Sequence, residues 1–220
     1  MDLNTVIFDM DGLLIDSEPL WREAAVEVFA YYGKKISHEE YAKTTGLRSS
    51  EFVAWWLREY KFDQNELDKA THKLNEIVTI KILEKGKPLP GIEHILNFFQ
   101  SLHFKIGLAT SSPLNIAEAV TTMLGINEVI QLITSAEHLA YGKPHPEVYL
   151  ACAKALQSSP LECICFEDSV NGMIAAKAAR MKCVVVPSYD QQKNDKWSLA
   201  DLRISSLSNF SELHINLLNR

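Results

Sequence analysis

The chain has 220 residues, 47% of them hydrophobic and 23% charged, with a formal net charge of -6. That length can bury a sizeable core as one large domain or two smaller ones. The acidic balance argues against a surface built for nucleic acid or an anionic membrane, and no run approaches the roughly 18 apolar residues of a membrane span. It leaves room for a small anionic substrate met by one metal and one lysine. No basic-then-apolar leader precedes the first strand, so a cytoplasmic protein is the expectation. No heptad seam or repeat suggests assembly, so a monomer is expected.

In chain order, Leu3, Val6, Ile7 and Phe8 predict a buried strand ending in Asp9-Met10-Asp11-Gly12. Strand side chains alternate, so Asp9 and Asp11 can converge where the strand gives out. Two carboxylates there are unfavourable unless a cation or donors compensate. A divalent cation would do so; a capping Asp followed by a turn Asp is the plainer alternative. Asp16 or Ser17 then reads as a helix N-cap, with Pro19 in the first turn. From Leu20 to about Glu84 the pattern is helical, with a capping box at Ser37 and Glu40. Gly86-Lys87-Pro88-Leu89-Pro90-Gly91 is a hinge candidate.

Beyond Ile92, helices alternate with strands at Lys105 to Ala109, Val129 to Ile133, Glu162 to Phe166 and Cys183 to Val186. A short strand around Leu202 to Ile204 and a last helix follow. This predicts an α/β protein with a doubly wound parallel sheet and an inserted all-α segment. Residues 1–15 and 88–220 would form the core and 16–87 a helical cap. The four cysteines, Cys152, Cys163, Cys165 and Cys183, form no C-x-x-C pair and read as packing thiols.

Ligands bind such sheets at the carboxyl ends of the strands. Polar residues collect there. The second strand runs into Thr110-Ser111-Ser112-Pro113, an anion site of hydroxyls and a helix N-terminus, or else a simple N-cap. After the third comes Lys143, pinned between Gly142 and Pro144, either positioned for a phosphate or solvated. The fourth ends in Glu167-Asp168-Ser169. Together the two acidic pairs, the hydroxyl cluster and the lysine suit metal-assisted phosphoryl transfer.

These four stretches resemble, in order, the four motifs of the haloacid dehalogenase superfamily, with a helical cap between the first and second. Asp16-Ser17-Glu18-Pro19-Leu20-Trp21, Gly46-Leu47-Arg48, Lys143-Pro144-His145-Pro146 and Glu167-Asp168-Ser169-Val170-Asn171-Gly172 are similar to the subgroup of β-phosphoglucomutase and bacterial sugar and hexitol phosphatases, including the 2-deoxyglucose-6-phosphate phosphatase type. The resemblance implies a Rossmann-like core and a Mg²⁺-dependent phosphatase acting on a small phosphorylated metabolite through an aspartyl phosphate. It implies Asp9 as nucleophile and Asp11 as general acid and then base. Mg²⁺ would sit on Asp9, the Asp11 backbone carbonyl and Asp168, with Glu167 behind or joined through water. Thr110 and the Ser111 amide would hold the phosphoryl oxygens, and Lys143 would bridge nucleophile and phosphate.

Arg48 is the candidate for a contact with the sugar or a second charged group, or a helix-face arginine. Trp21 faces either the site entrance or the core between cap helices. A phosphomutase using the same aspartyl phosphate is the rival enzyme. A receiver-type signalling domain is the rival of another class, disfavoured by the cap and by an acidic pair on the first strand.

Overall fold

The structure, a computed structural model, describes residues 2–219. Its elements in chain order are β1 (Thr5–Phe8), α1 (Glu18–Tyr31), α2 (His38–Tyr41), α3 (Ser49–Glu59), α4 (Leu67–Lys85), α5 (Ile92–Ser101), β2 (Lys105–Thr110) and α6 (Leu114–Met123). There follow β3 (Leu132–Ser135), α7 (Glu147–Ala155), β4 (Cys163–Glu167), α8 (Val170–Ala178), β5 (Lys182–Val185), β6 (Leu202–Arg203) and α9 (Glu212–Leu218). The six strands form one parallel sheet in the order β3-β2-β1-β4-β5-β6. The chain order therefore reverses at β1, which puts the first acidic pair at the sheet's switch point.

Alternation along the strands divides the core. Val6 and Phe8 face one layer with Ile164 and Phe166, while Ile7 faces the other with Cys163 and Cys165. On the first side Phe8 stacks on Phe166 and meets Phe99 edge-on, and Phe210 closes the cluster. Burying each of these rings contributes about 1.5–3 kcal/mol. All four cysteines are free and buried, and burial pushes the Cys152 and Cys163 thiols up to about 12, as suits packing rather than chemistry.

The helical insertion packs α1 and α3 against α4, and α4 reaches α6 beside the sheet. The chain enters and leaves it along two adjacent strands of backbone. The Asp16 amide donates to the Lys87 carbonyl at 2.9 Å and the Leu89 amide to the Leu14 carbonyl at 3.1 Å. The Ser37–Glu40 capping box forms, each side chain meeting the other's amide.

One strand lies further along than the sequence pattern suggested. Val129 belongs to a turn closed onto the Ile126 carbonyl, and pairing with β2 starts only at Gln131, whose amide donates to the Ile106 carbonyl. An apolar run does not distinguish a buried turn from a strand. The shift carries Thr134 and Ser135 to the sheet edge where the polar residues gather.

Candidate active site

The centre of the site is a lysine between two carboxylates. Lys143, 3% exposed, places Nζ 2.6 Å from Asp9 Oδ1 and 2.6 Å from Glu167 Oε1, and donates a third bond to the Ala109 carbonyl at 3.1 Å. Glu167, the last residue of β4, is fully buried, and both of its oxygens are engaged. Oε1 also accepts from the Tyr149 hydroxyl, and Oε2 accepts from the amides of Asp168 and Ser169 and from Ser169 Oγ. Ser169 in turn caps α8 by accepting from the Gly172 amide. A side chain at position 172 would strike the Glu167 carboxylate.

Asp9, Glu167 and Asp168 bring carboxylate oxygens within 4.8 Å of one another. Gly12 permits this. Its φ of 75° is costly for other residues, and a Cβ there would strike the Asp168 carboxylate. Two buried carboxylates, Asp9 and Glu167, share one ammonium, and the half-buried Asp168 carboxylate adjoins them. Burial raises the Asp9 carboxyl to about 8, against the pull of Lys143 and with a push from Glu167 and Asp11. Burial, then Asp9 and Glu167, holds Asp168 well above the ordinary carboxylate range. Burial works against the charge on Lys143, but Asp9 and Glu167 outweigh it and keep its pKa above the usual lysine value. Excess buried negative charge on hard oxygen donors is the environment a divalent cation relieves, so the residues fit such an ion.

Asp11 points to a different set of partners. Its Oδ1 accepts from Ser17 Oγ at 2.6 Å and from Trp21 Nε1 at 2.9 Å, and its Oδ2 accepts from Ser112 Oγ at 2.6 Å. Ser17 occupies the N-cap position of α1, as the sequence suggested, but its hydroxyl makes no cap bond and goes to Asp11 instead. Trp21, for which two surroundings were open, is turned to the site. Pro113 stands at the N-cap position of α6, so neither Ser111 nor Ser112 caps that helix. Thr110 is buried with Oγ1 accepting the Ser112 amide, and Ser111 Oγ donates to the Gly46 carbonyl of the helical insertion at 3.2 Å.

These groups enclose a cavity of about 50 Å³ between the strand ends and the helical insertion. Asp9, Asp11, Thr110, Ser111, Lys143 and Asp168 line the sheet side; Glu18, Trp21, Tyr41 and Ser49 contribute to the other. This is room for about four waters. A groove of about 1210 Å³ lies outside it and shares Glu18, Tyr41, Asp168 and Ser169 with the cavity. Burial, then the charge of Asp11, raises the Glu18 carboxyl to about 7, and the Tyr41 hydroxyl donates to Glu18 Oε2 at 3.4 Å.

Arg48 is the expected site residue that the structure does not bring in. Its guanidinium donates to the carbonyls of Ala136 at 3.1 Å and Leu139 at 2.7 Å and to Glu51 Oε1 at 2.6 Å. The loop after β3 offers those carbonyls within reach, so Arg48 ties the helical insertion to the sheet side rather than facing the cavity. Sequence reasoning missed Ser17 and Ser112 as partners of Asp11, and Tyr149 as a partner of Glu167. Ser112 lay in a hydroxyl cluster already singled out. Tyr149 carried no signal, because a tyrosine on an apolar helix face reads as core.

A family model described as haloacid dehalogenase-like hydrolase matches residues 3–180. Hexitol phosphatase B of Escherichia coli strain K12 is 42% identical over 204 residues, covering 92% of this chain and 91% of that protein. The fructose-1-phosphate phosphatase YqaB of the same organism is 31% identical, covering 82% and 95%. Among solved structures, a β-phosphoglucomutase from Clostridium difficile superposes with a TM-score of 0.87 at 27% identity, covering 99% of this chain and 97% of that one.

Proposed function

Because the chain belongs to the haloacid dehalogenase-like hydrolase family, we propose that it is a phosphatase that hydrolyses small phosphate monoesters of sugars or sugar alcohols, with Asp9 as the nucleophile. The observation that carries this reading is the pairing of Asp9 with Lys143 at 2.6 Å, beside a second carboxylate, Asp11, held by three donors.

An Asp9 oxygen attacks phosphorus, the bond to the leaving alkoxide breaks, and Asp11, which enters this step as the carboxylic acid, gives that alkoxide its proton. A water then attacks the phosphoryl group on Asp9 while Asp11, now a carboxylate, takes the water's proton. The phosphorus–Asp9 bond breaks and inorganic phosphate leaves. Thr110 and the Ser111 amide hold the phosphoryl oxygens, and Lys143 orients Asp9 and favours its ionised form against the pull of burial. Asp9 and Asp168, with the Asp11 backbone carbonyl and Glu167 behind them, would hold Mg²⁺. When bound, that ion offsets the repulsion between the phosphate dianion and its anionic nucleophile.

Residues 16–87 act as a cap over a core of 1–15 and 88–220. The cavity lies between the cap and the strand ends, and the cap opens to load the substrate and closes to exclude water. The paired backbone at Ile15 and Pro88 is the hinge. The structural likeness to β-phosphoglucomutase favours one second reading, a sugar phosphomutase that would use the same Asp9 chemistry.

The test is phosphate release from a panel of hexose, hexitol and nucleoside phosphates, with and without Mg²⁺, against Asp9→Asn. Turnover that needs both Mg²⁺ and Asp9 supports the phosphatase. Conversion of a hexose 1-phosphate to the 6-phosphate under a bisphosphate primer, without net phosphate release, supports the mutase.

A further inference from the structure

The two ends of the cavity differ in chemistry. The sheet end holds Asp9, Lys143 and Thr110. The opposite end is built by α1, α2 and α3, which contribute Glu18, Tyr41 and Ser49. Lys143 is the only cation among the described residues lining the cavity, and it is committed to Asp9 and Glu167. Ser49 is 7% exposed, and its buried Oγ has no hydrogen-bond partner. Native structures rarely leave a buried hydroxyl unpaired, and such a group in a cavity wall is one that a ligand can satisfy. Thr44, the neighbouring wall hydroxyl, is by contrast fully engaged between the Tyr41 carbonyl and Trp56 Nε1. Arg48, next to Ser49 in the chain, spends its two terminal amino groups on Ala136, Leu139 and Glu51, its buried Nε lacks a partner, and the residue does not line the cavity.

We propose that Glu18, Tyr41 and Ser49 form a hydroxyl-reading subsite that selects the uncharged polyol end of the substrate and rejects a second phosphate. The proposal rests on the phosphatase reading above and adds to it the substrate's far end. The Glu18 carboxyl, ionised above about pH 7, then accepts from substrate hydroxyls, and the Tyr41 and Ser49 hydroxyls can each donate or accept. A second phosphate placed there meets the Glu18 carboxylate, while Arg22, the cation whose charge reaches Glu18 and Tyr41, lines the outer groove rather than the cavity. A hydroxyl-free chain leaves Ser49 Oγ unpaired and leaves Glu18 and Tyr41 with only each other, and unpaired polar groups are the strongest way a site rejects an analogue.

The test compares kcat/KM, with Mg²⁺ present, for a hexitol 6-phosphate, hexyl phosphate and a hexitol 1,6-bisphosphate, with p-nitrophenyl phosphate as a probe of the phosphoryl chemistry alone. The wild-type enzyme is expected to prefer the hexitol monophosphate over hexyl phosphate by roughly a hundredfold. Ser49→Ala is expected to narrow that ratio roughly tenfold. Glu18→Gln, which keeps shape and removes charge, is expected to raise the bisphosphate relative to the monophosphate. Ratios within one variant cancel any loss of folded protein. Turnover of p-nitrophenyl phosphate with equal use of hexitol and hexyl phosphates, or with ratios that neither substitution moves, overturns the subsite and leaves the phosphatase standing. No release from any of the four overturns the phosphatase reading and the subsite with it.

Discussion

The indole Nε1 of Trp21 donates to Asp11 Oδ1 across 2.9 Å, so a residue of the first helix of the insertion holds the carboxylate at the end of the first strand. Ser17 adds a second donor from the same segment and Ser112 a third from the sheet side. The carboxylate proposed to protonate the leaving group is thus oriented both from the helical insertion and from the sheet side.

Trp21→Phe keeps the ring and removes the donor. Hydrolysis of a hexitol phosphate, whose alkoxide needs a proton, should slow roughly tenfold. Hydrolysis of p-nitrophenyl phosphate, whose leaving group departs without one, should slow far less. Steady-state kcat on the two substrates reads this. Equal slowing of both would mean that the indole supports the fold or the cap rather than the acid.

The carboxylate cluster sets a pH dependence of stability in the metal-free protein. Burial raises the Asp9 carboxyl from its ordinary value to about 8, and Asp168 moves the same way. The folded state then retains protons that the unfolded chain has lost, so stability declines as pH rises from the ordinary carboxylate range toward 8. In EDTA, Asp9→Asn should therefore gain on the wild type in Tm between pH 5 and pH 8. Mg²⁺ should restore the wild type at pH 8 and do little for the variant. A wild type that holds its advantage at pH 8 in EDTA would contradict the charge excess.

Gly12→Ala would put a Cβ against the Asp168 carboxylate at a backbone angle that favours glycine. Strain of this kind costs about 1–3 kcal/mol, and relief by displacing Asp168 should cost metal affinity as well. Activity titrated against Mg²⁺ should show a higher half-saturating concentration than in the wild type, with a lowered Tm. A normal Mg²⁺ titration would remove Asp168 from the metal set.

Arg48→Met removes the donor that the Ala136 and Leu139 carbonyls share. The loss should cost about 2 kcal/mol in urea unfolding. It should also raise amide exchange in the Gly46–Arg48 turn, because the closed form loses its tie to the sheet side. Unchanged exchange there would mean that Arg48 does not hold the cap shut.

The sheet and the acidic site were legible because each strand end carries its own chemical signature. Asp9-Met10-Asp11, Thr110-Ser111-Ser112 and Glu167-Asp168 each follow an apolar run, Lys143 comes in the loop after the third strand, and parallel strands place their ends along one edge. The third strand was misplaced because Val129 and Ile130 fill a turn with residues a strand would also use. Tertiary contacts across the cavity were not legible. Nothing in the spacing of Ser17 and Trp21 says that both donate to Asp11, and nothing in Gly46-Leu47-Arg48 says that the guanidinium finds backbone carbonyls. Those partners are brought together only when the helical insertion packs on the sheet.

The most direct measurement is to trap the phosphorylated enzyme. A phosphate monoester turning over in Mg²⁺ would be quenched in acid within milliseconds, the protein reduced with borohydride and residue 9 examined by mass spectrometry. An aspartyl phosphate at Asp9 predicts homoserine at that position, dependent on substrate and absent from Asp9→Asn. Steady turnover with an unmodified Asp9, or with the label on another residue, would contradict the mechanism.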